Sequence, residues 1–154
     1  ASLPCRRRMA RSTRASTLAG LAASAVGQAQ RAVDITIEHA QTRIQFGQPI
    51  GSFQAVRHRV ADMQMRVDQA RLMTYHLADL ISADAPCRRE AAQAKVIATE
   101  TLLGVANDGM QVLASAGYAA ESDMQRIWRD ARLYTFGEGT NEIQRDIIAK
   151  ALGL

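Results

Sequence analysis

The sequence predicts an all-α protein, an antiparallel up-down four-helix bundle with one short extra helix. Three observations lead there: apolar residues recur at steps of three and four through most of the 154 residues, only three prolines interrupt them, and aromatic residues make up 5%. With 47% hydrophobic and 22% charged residues the composition is that of a soluble globular domain and excludes disorder and collagen. At this length one core is enough, and neither a repeat nor a flexible linker divides it.

The first helix is expected from around Ser16, carrying Val33, Ile37, Ala40 and Ile44, and ending before the Gly47-Gln48-Pro49 breaker. Its early turns are small, which favours close helix approach, although Gly20 and Gly27 each forfeit about 1 kcal/mol of helix propensity relative to alanine. A second helix runs from Phe53 with a seam of Val56, Val60, Met63, Val67 and Ala70, continued by Met73, Leu77 and Leu80. After the break at Asp84-Ala85-Pro86 the same steps return at Val96, Thr99, Leu103, Ala106, Met110 and Leu113, and Gly117 marks the expected stop. A short helix follows over Asp123–Tyr134. Gly137-Glu138-Gly139 reads as a loop, and Thr140 as the N-cap of a last helix with Ile143, Ile147 and Ala151 on one side.

The net charge of +4 is unevenly placed. Six arginines, Arg6, Arg7, Arg8, Arg11, Arg14 and Arg31, precede the first acid, Asp34, and leave a body of 13 basic against 15 acidic residues. Residues 1–15 thus form an atypical basic segment ahead of a bundle over 16–154, and such a block is ordinarily just solvated. Its composition suits an organelle transit peptide, and equally a junction or a locally misread frame, which sequencing the DNA across it would distinguish. Ala15 to Gln30 is uncharged, but this stretch is too short and too polar to span a membrane. Cys5 and Cys87 have no metal spacing and fit a reducing compartment. His39, His58 and His76 show no ligand pattern, and no metal site is expected. Tyr75, Tyr118, Tyr134 and Trp128 form no stacking platform for nucleic acid, and Met63, Met65, Met73 and Met110 read as core filler.

Glu138 is the residue with most chemical potential. A carboxylate between two glycines, just before a helix, lies where backbone approaches a ligand closely. Alone it reads first as a solvated loop acid, since a carboxylate with a pKa near 4.3 is a poor base until burial raises it. Its neighbours add meaning. Arg43-Ile44-Gln45-Phe46-Gly47-Gln48-Pro49-Ile50, Phe53-Gln54-Ala55-Val56, Ala61-Asp62-Met63, Arg129-Asp130-Ala131 and Glu138-Gly139-Thr140-Asn141-Glu142-Ile143-Gln144-Arg145 follow in order. In this order and spacing, over residues 20 to 152, the chain resembles the C-terminal helical domain of acyl-CoA dehydrogenases.

That resemblance implies a flavoenzyme that oxidises an acyl-CoA thioester between Cα and Cβ, a carboxylate taking the α-proton while the β-hydrogen passes to FAD. Glu138 matches the family's base, and with Gly139 it matches the substrate contacts; a base on the first helix is excluded, since no acid precedes Asp34. Arg43 matches the arginine that reaches the FAD pyrophosphate across a subunit interface, with Phe46 and Gln54 from the same neighbour, whereas Thr140 and Glu142 match FAD contacts beside the base and double as helix-start residues. Gln111 opens a stretch that in the family reads Q-x-x-G-G-x-G-Y and holds the adenine half; here Ala114 and Ser115 replace two glycines, with crowding or a shifted backbone as the expected result. A substrate-binding arginine of the family falls on Leu18, one turn from Arg14. The family's N-terminal helical and middle β domains, which cover the flavin, are not among these residues.

Further implications of the resemblance are a homo-oligomer, dimer or tetramer, an electron-transfer flavoprotein or other electron acceptor as partner, a role in fatty acid metabolism, and a bacterial cytoplasm, with the mitochondrial matrix as the alternative. An acyl-CoA oxidase is the rival within enzymes. A noncatalytic interaction module built on the same seams is the rival outside them.

Overall fold

The computed structural model describes residues 3–154, with side chains from Thr13 onward; the side chains of Cys5, Arg6, Arg7, Arg8 and Arg11 lie outside that description. The elements are α1 (Leu3–Thr42), β1 (Ile44–Gln45), β2 (Gln48–Pro49), a 3-10 turn (Ile50–Ser52), α2 (Gln54–Ser82), α3 (Arg88–Leu113), α4 (Ser115–Tyr118), α5 (Asp123–Tyr134) and α6 (Asn141–Ala151). The bundle expectation holds. The 81% helix that results is arranged as three long antiparallel helices, with α5 lying against α1 and α3, and α6 against α3.

Helix α1 begins well upstream of Ser16. Ala15, Leu18, Ala22, Ala25 and Ala29 continue the buried stripe that Val33 and Ala40 carry further on, so nothing stops the helix at Ser16. The alanines give α1 its close approach. Gly20 and Gly27 do not, for each faces open space with nothing within 4 Å of an added Cβ. Replacing both by alanine is therefore expected to stabilise the chain by about 1 kcal/mol each, read as a higher midpoint of chemical denaturation.

The Gly/Pro breaker folds into a hairpin, with Ile44 opposite Pro49 and Gln45 opposite Gln48. Phe46 and Gly47 form its two-residue turn at φ 51° and 80°, the left-handed pair that matches strand twist. Between α2 and α3 Asp84 takes φ 51°, and Ala85 N–H donates to Leu80 carbonyl at 2.9 Å, closing the helix end.

Helix α3 is central and touches α1, α2, α4, α5 and α6. Five of its buried residues are alanines (Ala91, Ala92, Ala94, Ala98, Ala106), which lets its neighbours come close. At Gly109 a Cβ would stand 2.6 Å from Met124 Cε and 2.8 Å from Thr36 Oγ1, so α1 and α5 meet there only over glycine. Met63 lies in the core, but Met65 is 55% exposed, because two helical residues on from Met63 the side chain points away from the seam. Helix α3 ends at Leu113, earlier than Gly117, because Ala114 breaks it at φ 50° and ψ −130° and α4 starts anew.

Helix α5 keeps its expected bounds. Ser122 caps it by accepting from Met124 N–H at 3.2 Å. Arg31, one of the six early arginines, pairs with Asp123 at 3.3 Å, as does Arg126, and their bonds hold the Asp123 carboxyl below its ordinary range. No helix among the described residues is long and apolar enough to cross a membrane, and none of them group into a candidate metal cluster.

Candidate active site

The Glu138 loop is built at the join of α5 and α6. Gly137 N–H donates to Leu133 carbonyl at 3.0 Å to finish α5, then Glu138 at φ 55° and Gly139 at φ 95° take left-handed conformations in succession. Thr140 caps α6, its hydroxyl accepting from Ile143 N–H at 3.3 Å. The result turns the Glu138 side chain outward, where it is exposed. Gly139 is required, since its left-handed φ strains any side chain and a Cβ there would meet Gln144 Nε2 at 3.0 Å. The next group beyond that point is Arg14 Nη2 at 3.9 Å, so α1 brings an arginine to the loop from one turn before Leu18, itself buried in the core.

Beneath the loop lies a residue that the sequence reading missed. Lys95 is fully buried, and its ammonium donates to Thr135 carbonyl at 3.0 Å and to Asn141 Oδ1 at 2.6 Å. Burial lowers its pKa, against the opposing pull of Glu142 and Glu100. Asn141 is also buried and is shared with Thr99 and Glu100, and Arg145 Nη2 closes on Glu100 at 2.7 and 2.8 Å. The signal was available: Lys95 stands four residues after Ala91 and three before Ala98, on the buried stripe of α3.

Glu142 is exposed, and bonds from its own backbone and from Thr140 hold its carboxyl below the ordinary range. A hollow of about 150 Å³ adjoins, walled by Glu100, Leu103, Phe136, Thr140 and Glu142 but not by Glu138. This chain therefore presents the acid without enclosing it.

The other candidate residues lie far away. Arg43 follows α1, Phe46 is 92% exposed at the hairpin tip and edge-on to Phe53 at 6.1 Å, and Gln54 starts α2. Gln111 and Ser115, both exposed, flank the end of α3, which the pairing of Arg59 and Arg66 with Asp108 ties to the first half of α2. From Arg14 to Arg43 there are 29 residues of nearly unbroken helix, about 44 Å at 1.5 Å per residue. Arg43, Phe46, Gln54, Gln111 and Ser115 thus gather toward one end of the bundle, and Glu138, Gly139, Thr140 and Glu142 toward the other.

At Ala114 the backbone takes a glycine-type conformation despite its Cβ, so the turn is strained. Ala114→Gly is expected to stabilise the chain by about 1 kcal/mol, the released strain exceeding the added chain entropy, in the same denaturation assay.

This bundle is shared with solved structures. It superposes on butyryl-CoA dehydrogenase from Megasphaera elsdenii with a TM-score of 0.90 at 33% identity, over 92% of this chain and 37% of that one. PigA, solved with FAD and proline, gives 0.88 at 32%, over 92% and 37%. In sequence, a probable acyl-CoA dehydrogenase of Bacillus subtilis is 46% identical over 132 residues, 86% of this chain and 35% of the relative. Residues 8–153 match the C-terminal domain of acyl-CoA dehydrogenases, and the chain belongs to that family. It spans about a third of the length of these relatives.

Proposed function

We propose that this chain is the C-terminal third of an FAD-dependent acyl-CoA dehydrogenase, with Glu138 as its base. The observation that carries the reading is the Glu138 loop: a carboxylate on two successive left-handed residues, aimed outward from a buried, hydrogen-bonded platform, in a chain of this family.

Glu138 receives the α-proton of the acyl thioester, and the covering domains and the acyl chain remove water from its carboxylate so that its affinity for a proton rises toward neutrality. Gly139 presents its backbone to the thioester, the place of its missing side chain being filled by Gln144. The Arg14 guanidinium, 3.9 Å from where a Gly139 Cβ would stand, supplies positive charge to the thioester end of the substrate.

The exposed donors suit FAD chemically: a permanent cation at Arg43 for pyrophosphate, an open aromatic face at Phe46, amides at Gln54 and Gln111, and the hydroxyl of Ser115. Thr140 and Glu142 complete the set beside the base. When bound, FAD supplies the two-electron acceptor. Because the two groups of residues lie at opposite ends of α1, further apart than one dinucleotide reaches, a single FAD is held between two copies, Arg43, Phe46, Gln54, Gln111 and Ser115 serving the neighbour's Glu138. A homo-oligomer follows from this division, and the reduced enzyme passes its electrons to an electron-transfer flavoprotein or another acceptor.

The test is the full-length protein, purified for bound flavin and mixed anaerobically with acyl-CoA thioesters of graded length. Loss of the visible flavin band on mixing supports the reading, and stoichiometric hydrogen peroxide in air would instead make it an acyl-CoA oxidase. Bound flavin that no acyl thioester bleaches would overturn it.

A further inference from the structure

We propose that Gln144 is a positioning residue for Glu138, acting through the peptide rather than the carboxylate; the proposal rests on Glu138 being the base. Gln144 is fully buried on the second turn of α6, and its Nε2 donates to Glu138 carbonyl oxygen at 3.3 Å. Its Oε1 is buried without a hydrogen-bond partner. The orientation is set by chemistry, because turning the amide over would bring Oε1 against the Glu138 carbonyl, acceptor to acceptor. A buried amide that leaves one end unsatisfied to make a single donation is there for that donation.

What the bond decides is the direction of the 138–139 peptide. With the Glu138 carbonyl drawn inward, φ of 55° at Glu138 sends its side chain outward, and φ of 95° at Gly139 returns the chain to the Thr140 cap. Gln144 N–H meanwhile donates to Thr140 carbonyl at 3.1 Å, so one residue grips the loop on both sides of Gly139. Lys95 fixes the loop's start at Thr135, but the described hydrogen bonds give the Glu138 carbonyl no other donor. Without Gln144 the peptide is free to rotate about its flanking bonds, and the carboxylate loses its aim while the bundle stays intact.

Gln144→Met keeps the volume, deletes the orphaned acceptor and removes the donor, so stability and aim are expected to part company. In the full-length protein the melting temperature and flavin content stay at wild-type values, the 138–139 peptide takes more than one orientation in the variant's crystal structure, and kcat drops by roughly 100-fold with KM nearly unchanged. Gln144→Glu adds a second readout. As a carboxylate it cannot donate to the carbonyl, whereas protonated it can, so a single orientation of the 138–139 peptide is expected to return in crystals equilibrated below the carboxyl's pKa.

A single wild-type orientation of the 138–139 peptide in Gln144→Met, a loosened loop with wild-type kcat, or a variant that loses helix overturns the proposal, the last because it makes Gln144 a packing residue. Failure of the base reading looks different: Glu138→Gln then keeps its turnover, while the crystal structures still report whether Gln144 holds the peptide.

Discussion

Lys95→Ala is expected to destabilise the chain by about 2–4 kcal/mol, through the loss of two donated bonds and the cavity left by a four-carbon stem in a packed helix interface. The two acceptors are not wholly orphaned. Thr135 carbonyl keeps Asn141 N–H at 3.0 Å, and Asn141 Oδ1 keeps Thr99 Oγ1 at 3.2 Å, which places the cost below that of breaking a buried ion pair. Lys95→Met separates the two causes, since it fills the cavity and removes only the donors; it is expected to lose about half as much. Thermal and chemical denaturation give both values.

The pH dependence has a definite sign. Burial holds the folded pKa of Lys95 below the ordinary lysine value of about 10.4, so in the interval between the two the unfolded chain binds more protons than the folded one. The contribution of Lys95 to stability therefore rises with pH through that interval and levels off above the unfolded value. Measured against Lys95→Met, which lacks the titration, the stability difference is expected to widen as pH approaches 10. A constant difference would show that the ammonium is not desolvated in the folded state.

Glu138→Gln is expected to lower turnover of the full-length enzyme by at least about 10²- to 10⁴-fold, the usual share of a positioned general base, with flavin still bound. The amide is isosteric and cannot take a proton. Because the side chain is exposed and φ at residue 138 is unchanged by the swap, stability and helix content are expected to stay at wild-type values. Rapid mixing with an acyl thioester, followed at the flavin band, measures the step directly. Unchanged turnover in the complete assembly would exclude Glu138 as the base and favour a noncatalytic module.

Several elements could be read from local sequence because their causes are local. The α5 bounds follow from the Ser122 cap and the three-four spacing of Met124, Ile127 and Ala131, and the start of α6 follows from the Thr140 hydroxyl. The hairpin turn and the Glu138-Gly139 turn were likewise marked by their glycines, although the local pattern named a breaker and a loop rather than a shape. The helix break at Ala114 was not legible, since alanine is the strongest helix former and yet stands here at φ 50°.

The sequence by itself determined the course of the long helices apart from their ends, the order of the loops and the family to which the motifs belong, because each rests on residues within about two turns of one another. The tertiary structure alone decided that Lys95 lies under Thr135, that Gln144 turns its amide to Glu138 carbonyl, that Arg14 reaches Gly139, and that the residues matched to the flavin divide between opposite ends of α1. Burial, and the distance between groups far apart in the chain, depend on how the helices pack, and no pattern within one helix contains that information.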